Sequence, residues 1–148
     1  MSENPVDGVT IITGGSRGIG AACAVRLATD RPDRPLMLSY ASDEAAARTV
    51  AQDVEAVGGR AEIHRADVAD EADVIALFEA ADGLGPVTGL VNNAGLLFTA
   101  ARLEDFDAGR VRRTMDVNVT GSFLCAREAV KRMSTDNGGS GGVIVNLS

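Results

Sequence analysis

Thr13–Gly20 reads TGGSRGIG and directly follows VTII, a continuous apolar and largely β-branched run at residues 9–12. Such a run is typical of a strand that is buried on both faces of a parallel sheet. After the turn, apolar residues recur at Ile19, Cys23 and Leu27, which is the spacing of one helix face. This order of strand, glycine-rich turn and helix predicts a phosphate-binding turn, because free N–H groups at a helix N-terminus attract anions.

Downstream, short apolar runs alternate with longer amphipathic segments. We predict strands at residues 9–13, 36–40, 61–66, 87–92 and 142–147, with a helix after each of the first four. This alternation implies right-handed crossovers and an α/β fold, a doubly wound parallel sheet of Rossmann type with strand order 3-2-1-4-5.

The fourth predicted helix is long, over residues 107–133. Its buried side is predicted to carry Val111, Met115, Ser122, Ala126, Val130 and Met133. Residues 117–121 combine β-branched side chains with Asn and Gly, which are poor helix formers. Such a conflict in the middle of a good helix indicates a kink or a π-bulge, features that often mark functional sites.

The length of 148 residues and the hydrophobic content of 45% fit one packed domain. The fifth strand has no covering helix after it, and an apolar sheet edge of this kind is a liability in a soluble protein. We therefore expect residues 1–148 to form a single domain from which further C-terminal strands are missing.

Charge and composition disfavour several classes of function. The net charge of −7 disfavours nucleic acid and anionic membrane surfaces as partners, since both require a basic face. No apolar run is long enough to cross a bilayer, and His64, the only histidine, gives no basis for a metal centre. Cys23 and Cys125 form no CxxC motif, so we predict reduced thiols and a cytoplasmic protein.

The glycine spacing in the turn distinguishes between kinds of phosphate site. Read as G-x-G-x-x-G from Gly18, the sequence places Cys23 where the third glycine belongs, and no Gly-Lys-Ser/Thr of a Walker A loop follows. A glycine-rich turn without a ligand is the alternative. The spacing that fits is T-G-x-x-x-G-x-G, and in this the sequence resembles the short-chain dehydrogenase/reductase family.

Four further motifs resemble this family in the expected order. Asp67-Val68 resembles the pair that contacts adenine, and residues 92–95 (NNAG) resemble the motif that lines the cofactor channel. Asn118 resembles the active-site asparagine of the long helix, and residues 142–148 (GVIVNLS) are similar to the strand that leads to the catalytic serine. The resemblance implies a dinucleotide-binding domain of an oxidoreductase that transfers a hydride between nicotinamide and a small carbonyl or secondary alcohol substrate.

The resemblance also implies site residues and an assembly. The implied cofactor-binding residues lie in the turn and at the ends of three strands: Gly14, Ser16, Arg17, Gly18, Ile19, Gly20, Tyr40, Ser42, Asp67, Val68, Asn92, Ala94 and Gly95. Asn118 is implied to be catalytic. Because the family commonly forms dimers or tetramers, a homodimer or homotetramer is implied for the full-length protein.

The end of the second strand distinguishes between the two nicotinamide cofactors. NAD enzymes of this kind usually carry an acidic residue there, which binds the ribose hydroxyls and repels a 2′-phosphate. Here Ala41 and Ser42 follow the strand, and Asp43 is expected inside the next helix. Arg17 is placed to pair with a 2′-phosphate, so we favour NADP(H) over NAD(H). The alternatives are an exposed Arg17 without a ligand and an Asp43 that turns inward.

Part of the family's chemistry lies outside this sequence. The resemblance requires Tyr-x-x-x-Lys, whereas the only tyrosine is Tyr40 and position 44 is Glu44. Ser148 aligns with the first of two consecutive serines, of which the second is catalytic in the family. We therefore expect these 148 residues to be inactive by themselves. The alternative functions are a non-catalytic dinucleotide-binding fragment and an inactive truncated product.

Overall fold

The structure is a computed structural model that describes residues 7–148. Within them the strands are β1 (Val9–Ile12), β2 (Leu36–Tyr40), β3 (Ala61–Arg65), β4 (Val87–Asn92) and β5 (Val143–Asn146). The α-helices are α1 (Gly18–Asp30), α2 (Glu44–Ala56), α3 (Glu71–Asp82), α4 (Ala108–Met115) and α5 (Gly121–Met133). A π-helical turn, Asp116–Thr120, joins α4 to α5, and 3₁₀ turns lie at Leu103–Asp105 and Thr135–Asn137.

The strands form one parallel sheet in the order β3-β2-β1-β4-β5, as predicted. Ile12 at the end of β1 lies beside Leu38 of β2 and Val91 of β4. The strand order reverses at β1, because β2 and β3 lie on one side of it and β4 and β5 on the other. Doubly wound sheets bind ligands at the carboxyl edge beside such a reversal. The loops after β1, β2 and β4 therefore meet where a ligand is expected.

Helices cover both faces of the sheet and bury its central strands. Every residue of β1, β2 and β4 is buried. On one face, α3 and α5 pack around Phe78 and Cys125. On the other face, α1 and α2 pack around Ala24 and Val54. Burial on both faces explains why continuous apolar runs predicted these strands correctly.

Two helices bury a different face from the predicted one. α1 buries Gly20, Ala24 and Ala28, whereas Ile19 is exposed. On the long helix the prediction is correct for Met133, which is buried, whereas Val111, Met115 and Val130 are exposed. The other buried residues of α5 are Gly121, Cys125, Glu128 and Ala129. The physical reason is close packing: a Cβ atom on Gly121 would lie 2.7 Å from the Cγ2 of Val68. Small side chains let both helices approach the sheet closely.

The irregularity predicted in the long helix is confirmed. Residues 116–120 form a π-helical turn between α4 and α5. Of this turn only Val117 is buried, and its side chain joins the cluster beneath α3 and α5. Asn118 of this turn hydrogen-bonds to Leu96, shortly after the end of β4, so the π turn lies at the carboxyl edge of the sheet.

The β5 edge of the sheet exposes apolar side chains. β5 pairs with β4, and Val143, Val145 and Leu147 are exposed along it. Within residues 7–148, every helix is too short or too polar to traverse a lipid bilayer. The same residues contain no group of three or more His, Cys, Asp or Glu arranged to hold a metal ion.

Candidate functional site

The glycine-rich turn leads from the end of β1 into the N-terminus of α1. Gly14 and Gly18 have φ angles of 63° and 56°, in the left-handed region that favours glycine. Arg17 is the N-cap residue of α1, but its side chain makes no capping hydrogen bond. Aspartate side chains cap α2, α3 and α4 instead. The first N–H groups of α1 thus lack a side-chain cap in the described structure, which leaves them available to an anion.

Gly18 and Gly20 lack a side chain for different physical reasons. A Cβ atom on Gly20 would lie 2.5 Å from the Nδ2 of Asn93 and 2.5 Å from the carbonyl oxygen of Gly14. A Cβ atom on Gly18 would meet no described atom within 4 Å. Gly20 is therefore required by packing, whereas Gly18 is required by its φ angle and leaves open space beside the turn.

Thr13 and Asn93 fasten the end of β1 to the end of β4. The Oγ1 of Thr13 accepts hydrogen bonds from the backbone N–H groups of Asn93 (3.1 Å) and Ala94 (3.0 Å). The Nδ2 of Asn93 donates to the carbonyl oxygens of Thr13 and Gly14, each at 3.0 Å. These bonds satisfy polar groups that would otherwise be costly to bury, and they hold the turn at a fixed place beside β4.

A cleft of about 280 Å³ lies between this turn and the loops that follow β2, β3 and β4. Its lining comes from all four connections and from the long helix: Gly14, Ser16, Arg17, Ser39, Tyr40, Ala41, Ala66, Asp67, Val68, Asn93, Ala94, Gly95, Leu96, Arg113 and Val117. The cleft thus lies at the carboxyl edge of the sheet, beside the reversal of strand order.

The two carboxylates at the start of α2, Asp43 and Glu44, both have partners within the described residues. The Oδ1 of Asp43 accepts a hydrogen bond from the backbone N–H of Ala46 at 2.9 Å, so Asp43 is the N-cap of α2 rather than part of the helix as expected. Glu44 pairs with Arg48. Burial raises the pKa of the Tyr40 hydroxyl, and the neighbouring Glu44 raises it further. Tyr40 therefore stays a neutral, protonated phenol at the cleft.

Asp67 and Arg113 form an ion pair across another wall of the cleft. The Nη2 of Arg113 donates to the Oδ2 of Asp67 at 2.7 Å, and the Oδ1 accepts from the backbone N–H of Ala69 at 3.0 Å. Partial burial acts to raise the pKa of Asp67, but these two hydrogen bonds outweigh it, so the pKa lies below its ordinary value. Asp67 is consequently a fixed carboxylate acceptor at this wall.

The π turn holds Asn118 against the loop after β4. The Oδ1 of Asn118 accepts from the backbone N–H of Leu96 at 2.6 Å, and its Nδ2 donates to the Leu96 carbonyl oxygen at 3.0 Å. The backbone carbonyl of Asn118 accepts from the Oγ of Ser122 at 3.0 Å. Asn118 therefore fixes the wall that Leu96 and Val117 contribute to the cleft.

Most of the residues predicted to bind a cofactor lie together. Those that line the cleft are Gly14, Ser16, Arg17, Tyr40, Asp67, Val68, Ala94 and Gly95. Those outside the lining are Gly18, Ile19, Gly20, Ser42 and Asn92. The Nδ2 of Asn92 donates to the Ser122 carbonyl (3.1 Å) and to the Oδ1 of Asn146 (3.0 Å), so it ties β4 to α5 and β5.

The lining also includes residues outside the predicted cofactor-binding set. Asn93 belongs to the predicted NNAG motif and lines the cleft, whereas its neighbour Asn92 does not. Arg113 carried no local signal, because its partner Asp67 is 46 residues away in sequence.

Comparisons with known proteins point to one family. The model of a protein family described as "short chain dehydrogenase" matches residues 8–148. The "Uncharacterized oxidoreductase YgfF" of Escherichia coli K12 is 47% identical over 141 residues, covering 95% of this chain and 56% of that protein. The "NADPH-dependent aldehyde reductase-like protein, chloroplastic" of Arabidopsis thaliana is 35% identical, covering 88% of this chain and 52% of that protein.

A solved structure extends the likeness to three dimensions. A metagenomic short-chain oxidoreductase in complex with NADP matches with a TM-score of 0.84 at 30% identity, covering 95% of this chain and 62% of that one. The chain spans about half the length of the curated relatives it matches. Since the family match includes the glycine-rich turn, the joined ends of β1 and β4 and the π turn, the chain belongs to the short-chain dehydrogenase/reductase family.

Proposed function

We propose that this chain is the NADP(H)-binding part of an oxidoreductase that transfers a hydride between nicotinamide and a carbonyl or secondary alcohol. The observation that carries the proposal is the uncapped N-terminus of α1 at the cleft, with Arg17 beside it. Two matched proteins support the choice of cofactor: the Arabidopsis relative is named as NADPH-dependent, and the metagenomic oxidoreductase is a complex with NADP.

The residues of the cleft suit the separate parts of this dinucleotide. The N–H groups at the start of α1 would hold the pyrophosphate, with Gly14 and Ser16 beside it. Asp67 and Val68 would contact the adenine, while Ala94 and Gly95 would line the channel towards the nicotinamide. Gly18, Ile19 and Gly20 would act through their backbone in the first turn of α1, and Ser42 would lie near the ribose.

Arg17 fits a 2′-phosphate because it lines the cleft and makes no ion pair with any residue of 7–148. Of the two acidic residues that follow β2, Asp43 caps α2 and Glu44 pairs with Arg48. A free guanidinium and committed carboxylates favour the cofactor that carries the extra phosphate.

The bound cofactor supplies or accepts the hydride, and this chain's residues orient it and shape the space beside it. Asn118 is proposed to act at the catalytic centre, where its side chain fixes Leu96. An apolar groove of about 380 Å³ continues from Leu96 along Leu97, Phe98 and α4. Its apolar lining supports an uncharged carbonyl compound or alcohol as substrate.

The second candidate is a non-catalytic dinucleotide-binding module, because no Tyr-x-x-x-Lys occurs in these 148 residues. For the 148-residue polypeptide by itself we expect cofactor binding without carbonyl reduction. The intact mass of the natural protein separates the two candidates. A mass clearly above 15.2 kDa, with Tyr-x-x-x-Lys downstream, supports the oxidoreductase. A mass of 15.2 kDa supports the binding module.

We also propose a homodimer or homotetramer for the full-length protein and a cytoplasmic location. Exposed apolar side chains follow one another along α4, the π turn and α5, and they support self-association: Val111, Met115, Val119, Phe123 and Val130. The unpaired thiols of Cys23 and Cys125 support a reducing compartment.

Replacing Arg17 with Ala should weaken NADPH binding about tenfold and change NADH binding less than about twofold. A charge-assisted bond to a phosphate contributes about 1.5–3 kcal/mol, and because Arg17 is exposed we expect the lower end, about tenfold in affinity. Only NADPH carries that phosphate. Titration calorimetry with each cofactor measures both affinities. Arg26→Ala is the control, since Arg26 lies on α1 but pairs with Asp30. NADPH affinity that is unchanged in Arg17→Ala would rule out the phosphate role.

A further inference from the structure

The side chain of Arg65, from β3, contacts the loop that follows the neighbouring strand β2. Arg65 is the last residue of β3 and lies beside Tyr40 in the sheet register. Its Nε donates to the carbonyl oxygen of Ala41 at 3.2 Å. Tyr40 and Ala41 both line the cleft, so this bond anchors the guanidinium of Arg65 at the rim of the cleft.

The outer nitrogens of Arg65 remain available for a ligand. The side chain is exposed and makes no ion pair with the described residues. By contrast, Arg48 of α2 is paired with Glu44, and Arg113 of α4 is paired with Asp67. An unpaired arginine is notable in a protein of net charge −7.

The order of the strands puts Arg65 and Arg17 on the two sides of β2. β2 lies between β1 and β3. Arg17 lies in the turn after β1, and Arg65 ends β3, so the two residues come from the strands that flank the Tyr40–Ala41 segment. The positive charge of Arg65 acts on Tyr40 and on Asp67, two residues of the cleft.

We infer that Arg65 is a second specificity-determining residue, which binds the 2′-phosphate of NADP(H) together with Arg17. This inference rests on the proposed function. A phosphate dianion offers three oxygen acceptors, enough for two guanidinium groups. The bond from Nε to Ala41 holds the side chain in position before the ligand arrives, which lowers the entropy lost on binding.

The test uses two small probes that differ only in the phosphate. Wild-type protein and Arg65→Ala are titrated calorimetrically with 2′,5′-ADP and with 5′-AMP. We expect Arg65→Ala to weaken 2′,5′-ADP binding about tenfold and 5′-AMP binding less than about twofold. Arg65→Lys, which keeps the charge but not the planar fork, should fall between wild type and Arg65→Ala. NADPH and NADH titrations should show the same pattern.

Arg60→Ala is the matched control. Arg60 lies just before β3 at the opposite edge of the sheet and pairs with Glu62, so its loss should leave the affinity for both probes unchanged. Far-UV circular dichroism checks that each variant is folded.

Each result decides a separate question. If wild type prefers 2′,5′-ADP and Arg65→Ala keeps the full preference, the role of Arg65 is refuted and the proposed function stands. If wild type binds the two probes equally, the proposed preference for NADP(H) is refuted together with the role of Arg65. An equal loss for both probes in Arg65→Ala would show a general structural effect and would also overturn the role.

Discussion

Gly20→Ala is expected to lower the affinity for NADPH by at least about tenfold and the free energy of unfolding by about 2 kcal/mol. The added Cβ atom would lie 2.5 Å from both the Nδ2 of Asn93 and the carbonyl oxygen of Gly14. To relieve these contacts, the turn must move away from the end of β4. The N–H groups at the start of α1 then lose the position in which they would hold the pyrophosphate.

Gly58→Ala provides a control for the backbone effect of replacing a glycine. Gly58 has a φ angle of 89°, and a Cβ atom there would meet no described atom within 4 Å. The Gly58→Ala substitution should lower the free energy of unfolding by about 1 kcal/mol, because alanine is strained at this φ angle, and it should leave NADPH affinity unchanged. Urea unfolding and NADPH titration measure both effects. If Gly20→Ala behaves like Gly58→Ala, the close contact in the turn does not position the cofactor.

Glu128→Gln is expected to lower the free energy of unfolding at pH 7 by about 2 kcal/mol, because it removes the charge of a buried carboxylate that accepts hydrogen bonds from basic side chains. Glu128 is 4% exposed and accepts from Lys131 at 2.7 Å and from Arg132 at 3.0 Å. Arg132 also pairs with Asp82 of α3 at 2.9 Å. The carboxylate thus joins α5 to α3, the two helices that cover one face of the sheet.

The pH dependence of this effect follows from the pKa of Glu128. Burial acts to raise it, but Lys131 and Arg132 outweigh burial and hold it below the ordinary value of 4.5. The folded protein therefore binds its proton less readily than the unfolded chain. The stabilisation is fully present above the ordinary pKa and is lost as the pH falls through the lowered one. The stability difference between wild type and Glu128→Gln should shrink below about pH 4.5.

Glu79→Gln is the matched control, since Glu79 lies exposed on α3. Its stability should stay within about 0.5 kcal/mol of wild type. Urea unfolding at several pH values measures both variants. A difference between Glu128→Gln and wild type that is the same at low and neutral pH would contradict the ionic account.

The sheet could be predicted from sequence because its central strands are buried on both faces. A strand such as β1 then reads as a short, largely apolar run without the polar positions of an amphipathic helix. The buried faces of the helices were harder to predict, because the spacing of apolar residues assigns large side chains such as Ile19 to the buried face. In α1 the sheet instead contacts Gly20, Ala24 and Ala28. The burial of Glu128 could not be predicted from the sequence, since charged residues are rarely buried and are therefore expected at the surface.

The site was predictable where a short motif contains it. The turn and the NNAG motif each bring several residues to the cleft through local sequence alone. Contacts between distant segments gave no such signal: Arg113 meets Asp67 only after the long helix packs across the sheet edge. The bond from Arg65 to Ala41 likewise depends on the pairing of β3 with β2.

The most direct test of the account is an NMR titration of the ¹⁵N-labelled chain with NADPH. We expect saturable shifts of backbone amide signals at the edge of the sheet that holds the cleft. These shifts should concentrate at residues 14–20, 40–41, 67–68 and 94–95. The absence of saturable shifts, or shifts confined to residues away from this cleft, would contradict the claim that it binds a nicotinamide dinucleotide.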